Sequence, residues 1–349
     1  MKAMMKLAVA FAATATATLA PPVGWTDAGD APGDASLELA FFLKLPVAGT
    51  AALEAELLMR SNPASPKYSR WLSNYEVHEL VAPSPEAVNA VESWLLSEGL
   101  IPVRRTPNAD IITATSPVQK AEALLSADYR VFAHVASNTT AMRCLAYSLP
   151  PAVADSVAIV GPTLRFHHRG QNGVLPTLRD PDAARVNNPT TLRSLYSVGD
   201  VLGGTSPKNK QAVTAFLGQT YSDAAEKAFF ANSFPEGADT PLGFVGDKIT
   251  GVVAGVEAML DIEYMPAMGA LNPTEFWGFS GRSPVSSADE PFLTWLYTVG
   301  NTSDADVPLV FSTSYGEDET TEVPTDYSAR INAEFVKGGA RGISFLFAS

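Results

Sequence analysis

Three short apolar runs, residues 212–217, 307–311 and 343–347, constrain the fold of this chain more than any other feature. A strand that is apolar along its whole length buries both faces, a pattern that belongs to parallel sheets covered by helices on two sides. Helical periodicity at 224–232, 250–265, 291–299 and 326–338 supplies such helices between the runs. The C-terminal half therefore reads as a parallel α/β domain.

The N-terminal half has a different rhythm. An apolar strand at 37–45 precedes helical patterns at 50–60 and 84–98, separated by a turn-rich stretch. Strands are expected at 101–105, 111–114 and 129–134. A helix is expected at 116–126, with Ser116 as N-cap and Pro117 in the first position. This order predicts a ferredoxin-like α/β sandwich over residues 36–166. Residues 167–188 are polar and interrupted by Gly and Pro, with Arg165, Arg169, Arg179 and Arg185 in or beside them, and read as an exposed linker with a processing site.

With 349 residues, 46% of them hydrophobic and 17% charged, the chain can fill two cores. A net charge of −13 argues against nucleic acid as a partner, which needs clustered Lys and Arg. Lys2 and Lys6, an apolar stretch at 7–13 and small residues up to Ala20 read as a signal peptide over 1–20, cleaved after Ala20. That stretch is too short to span about 30 Å of hydrocarbon, so no membrane association is expected after cleavage. Secretion would make Asn138 and Asn301 glycosylation acceptors. Cys144 is the single cysteine, which rules out an intrachain disulfide and suits a small buried side chain.

Glu257 and Asp261 stand four residues apart in an otherwise apolar run. On a helix that spacing brings both acids to one face, where each raises the other's proton affinity. A solvated acidic face would have the same spacing. The four histidines, His78, His134, His167 and His168, all precede residue 189, so no Ser-His-Asp triad can form in the second half. The His167–His168 pair has no further ligands at metal-site spacing, and no metal is expected in this chain.

The segment Asn62-Pro-Ala-Ser-Pro-Lys-Tyr68-Ser-Arg-Trp71-Leu-Ser73, continuing through Glu76-Val77 to Pro83-Ser84, resembles the activation domain of the sedolisin family, the serine-carboxyl peptidases. Tyr147-Ser-Leu-Pro-Pro151 is similar to that domain's closing signature. Leu192-Arg-Ser-Leu-Tyr196, Glu290-Pro-Phe-Leu-Thr-Trp295, Ser314-Tyr-Gly-Glu-Asp-Glu319 and Arg341-Gly-Ile-Ser-Phe-Leu-Phe347 resemble parts of the peptidase itself. The resemblance implies a pro-kumamolisin-type activation domain over 36–166 and the N-terminal part of a subtilisin-like peptidase domain over 189–349. It also implies secretion or a lysosomal or vacuolar lumen, peptide or protein substrates, and an activation domain packed on its own catalytic domain.

By the same resemblance Glu257 is the general base for a serine nucleophile, and Asp261 orients it. Ser314, Tyr315 and Gly316 would form an edge strand for extended substrate, with Glu317 or Asp318 binding a free N-terminal ammonium. The family's oxyanion aspartate, its Gly-Thr-Ser nucleophile and its calcium site are expected beyond Ser349. Gly204-Thr-Ser206 and Ser280 do not occupy the nucleophile's place in the family order, so these residues alone are expected to be inactive. The implied activity is endopeptidase or tripeptidyl-peptidase in acid. The alternative is a non-catalytic pseudoenzyme or a propeptide-type inhibitor or binding protein.

Overall fold

A computed structural model describes residues 15–17, 20–21, 24–135, 140–164, 187–198, 209–216, 218–246, 254–269, 272–279, 292–316 and 325–348. In chain order the N-terminal part contains β1 (Ala15–Ala17), β2 (Trp25–Asp30), β3 (Ser36–Leu43), α1 (Val47–Ser61), α2 (Asn74–Leu80), α3 (Pro85–Ser97) and β4 (Val103–Arg104). It continues with β5 (Ile111–Pro117), α4 (Val118–Leu125), β6 (Arg130–His134), β7 (Thr140–Arg143), β8 (Ala146–Ser148), α5 (Pro151–Ala154) and β9 (Val157–Gly161). The C-terminal part contains α6 (Pro189–Leu195), β10 (Gln211–Phe216), α7 (Asp223–Ser233), β11 (Leu242–Gly246), α8 (Val256–Met268) and β12 (Thr274–Phe279). It closes with α9 (Phe292–Asn301), β13 (Val310–Thr313), α10 (Thr325–Ala340) and β14 (Ser344–Phe347).

The chain is mixed α/β and divides into two compact units. The first holds the described residues within Met1–Pro46 and Ala82–Phe166. Its main sheet is antiparallel in the order β4–β5–β3–β9, with α3 following β3 and α4 following β5, the ferredoxin-like arrangement expected. Alternate residues of β3, Leu37, Leu39, Phe41 and Leu43, pack with Val91 and Leu95 of α3 and with Val118, Ala121 and Leu125 of α4. Cys144 is free and fully buried in the same core, and burial pushes its thiol up to about 12. A smaller antiparallel sheet, β2–β6–β7, lies in the same unit, and β1 pairs with β8.

One expectation fails here. The helix predicted from Ser116 begins at Val118, because β5 stays paired with β3 as far as Pro117 opposite Ser36. The Ser116 hydroxyl donates to the Pro117 carbonyl and caps nothing.

The second unit holds Val47–Val81 and the described residues from 187 onward. Its sheet is wholly parallel, in the order β11–β12–β10–β13–β14. The pleat of β10 sends Ala212 and Phe216 to a core shared with Phe292, Trp295 and Val299 of α9, and sends Val213 and Ala215 to one shared with Ala258 and Ile262 of α8. The two-sided burial predicted for 343–347 is not met. β14 is the edge of the described sheet, and Leu346 and Phe347 are 53% and 42% exposed.

The turn-rich stretch before Ser84 contains α2, opened by a capping box in which Ser73 and Glu76 exchange hydrogen bonds. With α1 it joins the second unit: Leu53, Leu72, Val77 and Val81 pack with Ala340 and Val336 of α10. The Asn74 amide donates to Asp304 Oδ2 at 2.8 Å, and its side-chain amide donates to the Gly300 carbonyl at 2.8 Å. Buried Arg341 donates to Asp304 Oδ1 and to the carbonyls of Val299 and Thr302. Gly342 has φ +85°, and a Cβ there would lie 2.6 Å from the Trp71 ring.

Candidate active site

Gly255 opens α8 with no side chain to cap the first turn. The cap comes from Gln219, just past β10, whose Oε1 accepts from the Ala258 amide at 3.3 Å. At the other end Gln211, the first residue of β10, donates from Nε2 to the Met265 carbonyl at 3.2 Å and to Thr274 Oγ1 at 2.9 Å. The glycines that flank α8, Gly255 and Gly269, make room for these glutamines. A Cβ on Gly255 would lie 2.1 Å from Gln219 Oε1, and one on Gly269 2.6 Å from Gln211 Oε1.

Thus clamped to β10, α8 carries Glu257 in its first turn, where unpaired amides and the helix dipole favour negative charge. Asp261 follows one turn later on the same face. Asp261 Oδ1 accepts from the Ser314 hydroxyl at 2.8 Å, while Oδ2 is buried without a hydrogen-bond partner among the described residues. Burial pushes the Asp261 carboxyl up to about 6, the Ser314 hydrogen bond opposes that rise, and the charge of Glu257 adds to it. An acid with that affinity is neutral in the acidic range and can then donate a proton in a hydrogen bond.

Ser314 is the first residue beyond β13, whose last residue, Thr313, bonds through its hydroxyl with Thr214 of β10 at 2.8 Å. Tyr315 turns inward, its ring edge-on to Phe216 with centroids 5.0 Å apart. Gly316 is exposed, with no atom within 4 Å of where a Cβ would stand. The acids and Ser314 therefore gather at the carboxyl ends of parallel strands, where open α/β sheets bind ligands.

Of the residues singled out from sequence, Glu257, Asp261 and Ser314 come together and Tyr315 and Gly316 adjoin them. Glu317, Asp318 and Asn138 lie outside the described residues, as do His167, His168, Ser206 and Ser280. Asn301 is exposed at the end of α9. His78 is buried with Nε2 3.2 Å from the Gly300 carbonyl, and the His134 ring stands 5.2 Å from that of Trp25. Among the described residues no group of three His, Cys, Asp or Glu is placed to hold a metal ion, and no helix is long and apolar enough to cross a membrane. Sequence reasoning missed the Ser314 hydroxyl as a partner of Asp261, and Gln219 as the cap of α8. Only a glycine standing where a capping side chain is usual hinted at the second.

Residues 23–166 match the family model described as the pro-kumamolisin activation domain. The chain as a whole is 34% identical over 338 residues to tripeptidyl-peptidase 1 of Bos taurus and 32% identical over 338 residues to that of Homo sapiens. It is 29% identical over 353 residues to tripeptidyl-peptidase SED4 of Arthroderma otae. Each alignment takes in 94% of this chain. The chain is thus similar to the tripeptidyl-peptidases along nearly its whole length, with a region of the pro-kumamolisin activation type. It spans 58% of the length of these relatives. The region that matches the activation-domain model contributes α1 and α2 to the unit that carries the acid pair.

Proposed function

We propose that this chain is the N-terminal part of an acid-acting serine-carboxyl peptidase made as a zymogen, working in a secreted or lysosomal lumen. The observation that carries the reading is Asp261, a buried acid titrating near 6, one helical turn from Glu257. A serine hydroxyl with no imidazole needs another base, and Glu257 would take its proton. Neutral Asp261 would hold Glu257 in place, which ties turnover to acid. The residues at 314–316 would pair with the backbone of an extended peptide, and Glu317 or Asp318 would receive its ammonium. The nucleophile and the oxyanion acid would be supplied by sequence beyond residue 349, so these residues alone would have no turnover.

The test is peptide hydrolysis at about pH 4–5 by a protein of the relatives' full length. Glu257→Gln should lower the rate about 10²–10⁴-fold. A variant retaining the parent rate would sink the assignment. A non-catalytic inhibitor is the second reading, favoured by the packing of α1 and α2 on α10. It predicts that residues 1–349 slow an active relative in the same assay.

A further inference from the structure

We propose that Ser314 is a positioning residue of the acid pair: its hydroxyl holds Asp261 by Oδ1 and leaves Oδ2 as the oxygen that carries the acid's proton. The role, though not the geometry, rests on the peptidase reading above. The hydrogen bond is 2.8 Å long and joins residues 53 positions apart, so it exists only because β13 ends beside α8. Ser314 is not on a free loop. Its neighbour Thr313 is fixed between Thr214 on one side and Phe347 on the other.

Oδ1 already accepts a donor, while Oδ2 is buried without a partner among the described residues. An ionised carboxylate would leave that oxygen an unsatisfied buried acceptor, which is costly. Protonation at Oδ2 turns it into a donor, the form an orienting acid needs.

The surroundings supply no competing charge among the described residues. β10 turns Val213 and Ala215 toward α8, and β12 turns Phe276. Glu275 is paired with Lys210, Arg193 of α6 donates to the Met268 carbonyl at the far end of α8, and Glu226 of α7 acts on Glu263. Glu257 is the charged group that acts on Asp261, leaving Ser314 as the one neighbour that favours the carboxylate.

The test is a ¹³C carboxyl titration of the 349-residue chain, with the Asp261 signal assigned by its loss in Asp261→Asn. Ser314→Ala should raise the Asp261 midpoint by about 1 pH unit, since it removes a hydrogen bond to the charged form. Ser314→Thr, which keeps the hydroxyl, should restore it. An unmoved midpoint in a folded Ser314→Ala protein overturns the proposal, as does failure of Ser314→Thr to restore it. If Ser314→Ala does not fold, Ser314→Cys is titrated in its place and the same rise decides. In a protein of the relatives' length, the pH limit of kcat/KM should move with the titration. Loss of activity in Glu257→Gln bears on the peptidase reading alone, so the two can fail separately.

Discussion

Asp261 is poised between two opposed influences. Burial favours its neutral form, the Ser314 hydroxyl favours the anion, and burial wins, placing the group near 6 against 3.8 for a free aspartate. The folded protein therefore binds the proton more tightly than the unfolded chain does. Stability from this group is fully present below about pH 3.8 and is lost as pH rises through about 6. Asp261→Asn keeps an acceptor for Ser314 but cannot ionise. Thermal melts should match the parent at pH 4 and exceed it at pH 7 by on the order of 2 kcal/mol. Equal differences at both pH values would mean that Asp261 ionises without penalty. The four-residue spacing made the nearness of Glu257 legible in sequence. The burial of Asp261 was not legible, because it depends on α8 packing against β10 and on Ser314 arriving from β13.

At the scale of the element, α8 is held from outside itself. Gln219 and Gln211 bracket β10 and reach over to the two ends of the helix, each filling space that a glycine leaves open. Gln219→Ala should destabilise the second unit by about 1 kcal/mol in chemical denaturation, as lost N-caps do. Gly255→Ala should cost at least as much, since its Cβ displaces the same side chain. The double variant should cost less than the two combined, and full additivity would show that the residues act independently. Strand and helix types in both halves were readable because burial on one or two faces leaves a period in the sequence. The start of α4 was not readable, because pairing of β5 with β3 outcompeted a local cap signal at Ser116. The start of α2 was written in Ser73-Asn-Tyr-Glu76, a capping box inside a stretch that otherwise looked like turns.

For the whole molecule, the decisive contact is that of α1 and α2 with α10 inside the second unit. The Asn74, Asp304 and Arg341 linkage lies where α9 and α10 end and the chain enters β13 and β14. The acid pair belongs to the opposite ends of those strands. Cleavage within 167–188 should therefore leave the N-terminal fragment bound, and the two pieces should co-elute in gel filtration near pH 7. Arg341→Met removes donors to Asp304 and to two carbonyls and should weaken that retention at least about tenfold. Undiminished co-elution of the variant would show that the apolar contacts of Leu53, Leu72 and Val77 suffice.

The same contact sets a timetable for synthesis. Leu53, Leu72 and Val77 leave the ribosome roughly 260 residues ahead of Val336 and Ala340, the partners that cover them. At about 5–20 residues per second, that face waits on the order of tens of seconds. The surface that fastens the finished protein is thus the one most open to wrong partners while the chain is being made.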